Sequence, residues 1–345
     1  MKHPLALTVC ATFTVLSFAH AQGPAGKVDR LTLHGASLEG NLIGDSPDRT
    51  VAVYLPPSYA SSPNRRYPVV YMLHGFTDSV EKWWFDPKHW INLPKVLDRA
   101  MARDDVKEMI VVMPDALNSF GGSMYSSSVV IGDWERFVAE ELVAHIDRTY
   151  RTVASVRARG LAGHSMGGYG TFRIGMRRPD VFSAIYAMSA CCMAVRPIGD
   201  ARDLDAFAKV AAVQSKDEVA KAGFSTKAML ASAAAWSPDP HSPPLYVDLP
   251  VKEGKVDPGV VARLQANAPL NLFDQNMLNL RRLRAIALDT GDKDRGIAPG
   301  VREAHRIFER YGLVHTFEVY DGDHLNRIAD RIETKVMPFF SKLLE

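Results

Sequence analysis

Apolar and polar positions along the 345 residues alternate in two rhythms. From Val28 to Leu55 the apolar residues recur in short alternating runs, clearest at Thr50 to Leu55 and closed by Pro56-Pro57, which predicts a pair of leading strands. Then come shorter runs that do not alternate: Pro68 to Leu73, Met109 to Met113 and Arg159 to Ala162, ended by His74-Gly75, Pro114-Asp115 and Gly163. Such runs suit strands buried on both faces of a mostly parallel sheet. Between the last two, Trp134 to Tyr150 carries Phe137, Leu142 and Ile146 at helical spacing. Further strands are expected at Ala184 to Met188, Leu283 to Leu288 and Thr316 to Tyr320, with a helix near Pro299 to Tyr311. The alternation of strand and helix predicts an α/β fold with a central, mostly parallel sheet flanked by helices. From about 191 to 280 the rhythm stops. That stretch is Ala-rich, with helices expected at Leu204 to Val213 and Thr226 to Ala235 and a proline cluster from Pro238 to Pro244. Because the sheet pattern resumes after it, it is expected to be a helical cap inserted into one domain spanning 22–345.

The first 21 residues follow neither rhythm. Met1-Lys2-His3, an apolar run from Leu5 to Phe18 and the small residues of Ala19-His20-Ala21 predict a signal peptide cleaved near Ala21-Gln22. The run is interrupted by Thr8, Thr12, Thr14 and Ser17 and falls short of the roughly 20 apolar residues of a membrane span. A periplasmic or secreted protein with no membrane anchor in its mature form is therefore expected. Charge adds an exclusion: 41 Lys+Arg against 39 Asp+Glu, spread along the chain, make no basic face for nucleic acid. Of 3 Cys, Cys10 lies in the leader, leaving the neighbours Cys191 and Cys192. They read as small core residues, with a vicinal disulfide as the alternative in an oxidising compartment. No Cys/His set has zinc spacing, and Asp289, Asp292 and Asp294 lack the later Glu and the glycine of a calcium loop, so no metal and no cofactor are expected.

Chemistry enters at Gly163-His164-Ser165-Met166-Gly167, which matches G-x-S-x-G. It follows a strand and precedes a helix-compatible run, Tyr169 to Arg177, the setting of an elbow that exposes a nucleophilic serine. A serine hydroxyl needs a base, and the base needs an orienting acid. On such elbows the order is Ser, then Asp or Glu, then His, at strand ends. Here one later strand ends in Asp289-Thr290-Gly291-Asp292-Lys293-Asp294 and the next in Asp321-Gly322-Asp323-His324. His324 is the expected base, because His305 and His315 fall within a helix and at a strand start. The acid is one of Asp289, Asp292 and Asp294. The oxyanion hole calls for the backbone N–H of Met166, after the nucleophile, and one from the loop after an earlier strand, for which Phe76 is the candidate.

These motifs, with Tyr71-Met72-Leu73-His74-Gly75, Asn118 to Tyr125 and Gly168, resemble the putative-esterase family, which includes esterase D, feruloyl esterases, enterochelin-type esterases and mycolyltransferases. The resemblance covers roughly 30–340 and weakens in the cap. It implies the α/β-hydrolase fold and a G-x-x-D acid motif falling on Gly291 to Asp294, hence Asp294. It also implies the Phe76 amide as second oxyanion donor. The function so implied is a secreted serine esterase acting on a small-molecule or glycan-linked carboxylic ester, with a hydroxycinnamoyl or carbohydrate ester in view. The alternatives are acyl transfer of the mycolyltransferase type or an S-formylglutathione hydrolase-like reaction. The aromatic run Trp83-Trp84-Phe85 after the oxyanion loop, and Trp236 in the cap, are candidates for substrate contact.

Overall fold

The computed structural model describes residues 25–345, so the expected signal peptide lies outside the described residues. Eight strands form one sheet: β1 (Lys27–His34), β2 (Asp48–Leu55), β3 (Val69–Leu73), β4 (Ile110–Pro114), β5 (Arg159–His164), β6 (Ala184–Met188), β7 (Ala285–Gly291) and β8 (Thr316–Tyr320). Their spatial order is β1-β2-β4-β3-β5-β6-β7-β8. β2 runs antiparallel to β1 and β4, and every pairing from β4 to β8 is parallel.

The uninterrupted apolar runs are explained by two-faced burial. In β3, Val69, Tyr71 and Leu73 join the core on one face, and Val70 and Met72 join the core on the other. Period-two side-chain direction sends neighbours to opposite layers, and both layers are covered. One cover includes α3 (Met166–Arg177) and α9 (Ala298–Arg310). The other is built from α1 (Leu93–Met101) and the C-terminal helix α10 (Met337–Leu343). The expected helix from Trp134 runs on through α2 (Val143–Thr149), with a π-helical middle at Phe137–Leu142.

Between β6 and β7 lie five helices: α4 (Ala201–Ala211), α5 (Lys216–Lys221), α6 (Phe224–Trp236), α7 (Pro258–Gln265) and α8 (Pro269–Leu280), with a small hairpin of Val251–Lys252 and Lys255–Val256. The helical insertion extends beyond its two expected helices. Its last helix, α8, belongs to the core layer, because Phe273 packs with Phe172 of α3 and Phe308 of α9 at ring-centroid distances of 5.3 and 4.8 Å. β7 also extends past its expected end, through Asp289 to Gly291. The extension carries a buried carboxylate that Arg331 neutralises at 2.7 Å, so its polarity does not end the strand. Among the described residues no helix is long and apolar enough to cross a membrane.

Candidate active site

β5 ends at His164 and α3 begins at Met166, which leaves Ser165 alone to turn the chain. Its φ of 58° and ψ of −113° lie outside the regions a non-glycine residue favours, a strain of about 1–3 kcal/mol. Backbone hydrogen bonds hold the turn: Ser165 N–H donates to the Met188 carbonyl (3.0 Å), and its own carbonyl accepts from Tyr169 (2.9 Å) and Cys191 (3.1 Å). Glycine is required beside it, since a Cβ on Gly167 would sit 2.0 Å from the Leu73 carbonyl oxygen. The elbow is therefore wedged against the end of β3, the strand that leads into the Phe76 loop.

The β7 and β8 loops meet over the elbow. A Cβ on Gly291 would lie 2.2 Å from the Gly322 carbonyl oxygen, and backbone bonds from Asp292 to Tyr320 (2.9 Å) and from Lys293 to Gly322 (3.0 Å) stitch the loops together. This contact brings the structure's version of the predicted trio into one line. The Ser165 hydroxyl donates to His324 Nε2 at 2.9 Å, and His324 Nδ1–H donates to Asp294 Oδ2 at 2.6 Å. Asp294 is only 7% exposed, whereas the His324 side chain keeps 34% of its surface. The imidazole is thus partly open to solvent and the Asp294 carboxylate is not.

The other two aspartates have different partners. Asp292 is exposed and accepts the Gly322 N–H at 3.0 Å. Asp289 is fully buried inside β7, where Oδ2 accepts from Tyr186 (2.9 Å) and from Arg331 Nε and Nη2 (2.9 and 2.7 Å).

Met166 occupies the first turn of α3, where an amide has no intrahelical acceptor. The Phe76 amide likewise has no protein acceptor among the described residues. Its loop is fixed on both sides. Buried His74 donates Nδ1–H to the Gly75 carbonyl (2.9 Å) and accepts the Ala116 N–H on Nε2 (2.9 Å). Thr77, at φ 61°, donates its N–H to the Gly121 carbonyl at 2.8 Å. Two amides without a protein acceptor among the described residues therefore lie near Ser165, one in the first turn of α3 and one on the loop after β3.

Trp83 and Trp84 are sealed in the core. Trp83 has no exposed surface and spends its indole N–H on Asp78 Oδ2 at 2.9 Å, while Trp84, 3% exposed, points its own at Met113 Sδ. Both belong to the core layer on the α1 side of the sheet, so they back the site instead of touching substrate. Trp236 is different: it lines a cavity in the insertion. Cys191 and Cys192 are half-buried free thiols with sulfurs 2.7 Å apart. The neighbouring Cys192 thiol, with burial, pushes the Cys191 thiol well above its usual range. No cluster suited to a metal ion is present among the described residues.

In the sequence His164 stands only as a variable residue of the G-x-S-x-G motif. It is fully buried, and its Nε2–H donates to the His324 carbonyl at 2.9 Å. Burial, with His324 alongside, pushes its pKa down to about 3, so it is a neutral strut. Arg331 was equally invisible, since its partners come from three separate strands.

Known proteins share this architecture. A solved ferulic acid esterase superposes with a TM-score of 0.62 at 23% identity, covering 93% of this chain and 99% of its own. The S-formylglutathione hydrolase of Staphylococcus aureus superposes with a TM-score of 0.59 at 15% identity, covering 92% and 99%. With the sheet order, these similarities establish the α/β-hydrolase fold. In sequence, the chain is 34% identical over 139 residues, 39% of its length, to an endo-1,4-β-xylanase/feruloyl esterase of Xylanibacter ruminicola. It is 33% identical over 132 residues, 38% of its length, to esterase Rv1288 of Mycobacterium tuberculosis. The matched stretches make up 18% and 26% of those relatives. Residues 46–327 match the family described as "Putative esterase", and the chain belongs to that esterase family.

Proposed function

We propose that the protein hydrolyses a carboxylic ester through an acyl-enzyme on Ser165. The observation that carries this reading is the continuous hydrogen-bonded line from the Ser165 hydroxyl through His324 to Asp294. In the proposed cycle, His324 Nε2 takes the hydroxyl proton as Ser165 Oγ bonds to the ester carbonyl carbon. The resulting oxyanion accepts hydrogen bonds from the Phe76 and Met166 amides. The C–O bond to the alcohol then breaks, and the departing oxygen takes the proton from His324. Water repeats the sequence, giving its proton to His324, attacking the acyl carbon and releasing acid and free serine. Asp294 holds the Nδ1–H tautomer throughout and stabilises the imidazolium.

The ester reading also draws support from the family and from relatives named feruloyl esterases. Hydroxycinnamoyl and carbohydrate esters are the substrates those names bring into view, and the leader pattern of residues 1–21 supports action outside the cytoplasm. Activity-based labelling tests the proposal. A fluorophosphonate probe should label the purified protein and leave Ser165→Ala unlabelled and inactive on p-nitrophenyl acetate. Undiminished labelling of that variant overturns the assignment.

A further inference from the structure

The insertion forms an open-sided cavity of about 360 Å³ between α4, α6 and the segment that follows β6. Phe207, Phe224, Met229 and Trp236 form much of its wall, and none of its lining side chains is charged. Its only hydroxyls are those of Ser225 and Ser232, and the Trp236 indole N–H is already spent on Ser126 Oγ at 3.0 Å.

Two of the cavity's wall residues adjoin residues of the candidate site. Phe224 is 64% exposed at the cavity's open edge, and its ring stands edge-on to that of Phe76 with centroids 5.5 Å apart. Phe76 is the residue whose amide faces the developing oxyanion in the proposed cycle. On the other side, the wall residue Cys192 follows Cys191, whose N–H donates to the Ser165 carbonyl at 3.1 Å. The uncharged, aromatic-edged hollow therefore neighbours the residues that surround Ser165, through Phe224 on one side and Cys192 on the other.

We infer that this cavity receives the acyl group of the substrate, and that the acyl group is apolar: an alkanoyl chain or an unsubstituted arylalkanoyl group. The inference rests on the reading of Ser165 as the nucleophile. Each methylene moved from water into the cavity favours the acylation transition state by about fourfold until the space is filled. A carboxylate or extra hydroxyl on the acyl group loses its water there and meets no charged partner. Ala228 marks the wall position at which added bulk shortens the cavity, because it is half-buried and has only a methyl group to present.

The test is a kcat/KM series on p-nitrophenyl esters from acetate to decanoate, with methyl cinnamate set against methyl 4-hydroxy-3-methoxycinnamate. The wild-type protein should climb from acetate to an optimum at a longer chain and prefer the unsubstituted cinnamate at least tenfold. Ala228→Trp should lower the octanoate-to-acetate ratio at least tenfold. A flat chain-length profile, a preference for the hydroxylated cinnamate, or an unchanged ratio in Ala228→Trp overturns the inference. Should Ala228→Trp lose its native circular dichroism, Met229→Ala replaces it: a wider cavity shifts the optimum to longer chains, and an unmoved optimum is equally fatal. Failure of the underlying esterase reading looks different, because then no ester is turned over and Ser165 takes no fluorophosphonate.

Discussion

His164 Nε2–H donates to the backbone carbonyl of His324 at 2.9 Å, and the two rings lie 4.6 Å apart. The strand end that presents Ser165 therefore also sets the height of the loop that carries its proposed base. The residue before Ser165 and a residue 160 positions later are coupled through one buried hydrogen bond. Trp83 and Trp90 close the space around His164, at 6.3 and 5.9 Å between ring centroids. The tryptophans of the oxyanion-side loop thus support the site from behind.

This buried imidazole makes stability depend on pH. An unfolded histidine takes a proton near 6.5, whereas His164 resists protonation down to about 3. Between those values the unfolded chain binds more protons, so the stability His164 contributes is complete above about 6.5 and declines as the pH falls toward 3. Urea midpoints measured between about pH 7 and pH 5 should fall more steeply in the wild type than in His164→Gln. Parallel slopes would show that this imidazole is not the titrating group.

Among the three aspartates, only Asp294 meets His324. Asp294→Asn should reduce kcat on the order of a thousandfold or more by disturbing the tautomer, with little change in melting temperature. Asp292→Asn keeps an oxygen to accept the Gly322 N–H and should stay within about threefold of wild type, given that a retained hydrogen bond changes little. A larger loss in Asp292→Asn than in Asp294→Asn would reverse the assignment of the acid.

Asp289 and Arg331 form a buried pair, 0% and 2% exposed. Arg331→Met strands the Asp289 carboxylate and should cost about 3–5 kcal/mol. Asp289→Leu combined with Arg331→Met should recover part of that loss, because no unpaired charge is left at β7. Chemical denaturation of both variants checks this; a double variant no more stable than Arg331→Met alone would mean the pair is not what limits stability.

The loop contact at Gly291 predicts an effect on activity that exceeds its effect on folding. Gly291→Ala places a methyl group against the Gly322 carbonyl and must part the loops bearing Asp294 and His324. A misplacement of about 1 Å near the chemistry costs on the order of a hundredfold. Steady-state kinetics alongside thermal melts should find kcat/KM reduced to that extent in a protein that still melts cooperatively. Wild-type activity would mean that the two loops do not need this close approach.

The strands and the order of the chemistry were legible in the sequence because both are local. Two-faced burial writes itself as uninterrupted apolar runs, as in Val69 to Leu73, and the elbow writes itself as glycines around Ser165. The order of Ser165, the β7 loop and His324 follows from chain direction in a parallel sheet. What the tertiary structure alone decided was partnership. Three aspartates within six residues look alike in sequence; packing gave Asp289 to Arg331, Asp292 to the Gly322 amide and Asp294 to His324. The aromatic residues divided in the same way, with Trp83 and Trp84 sealed in the core and Trp236 on a cavity wall, because their side-chain directions depend on which layer covers each segment. The insertion between Cys191 and Leu280 showed least in the sequence. Its short helices pack on one another and on α3 through contacts far apart in the chain, and no single-segment periodicity records which of their faces is left to wall a cavity.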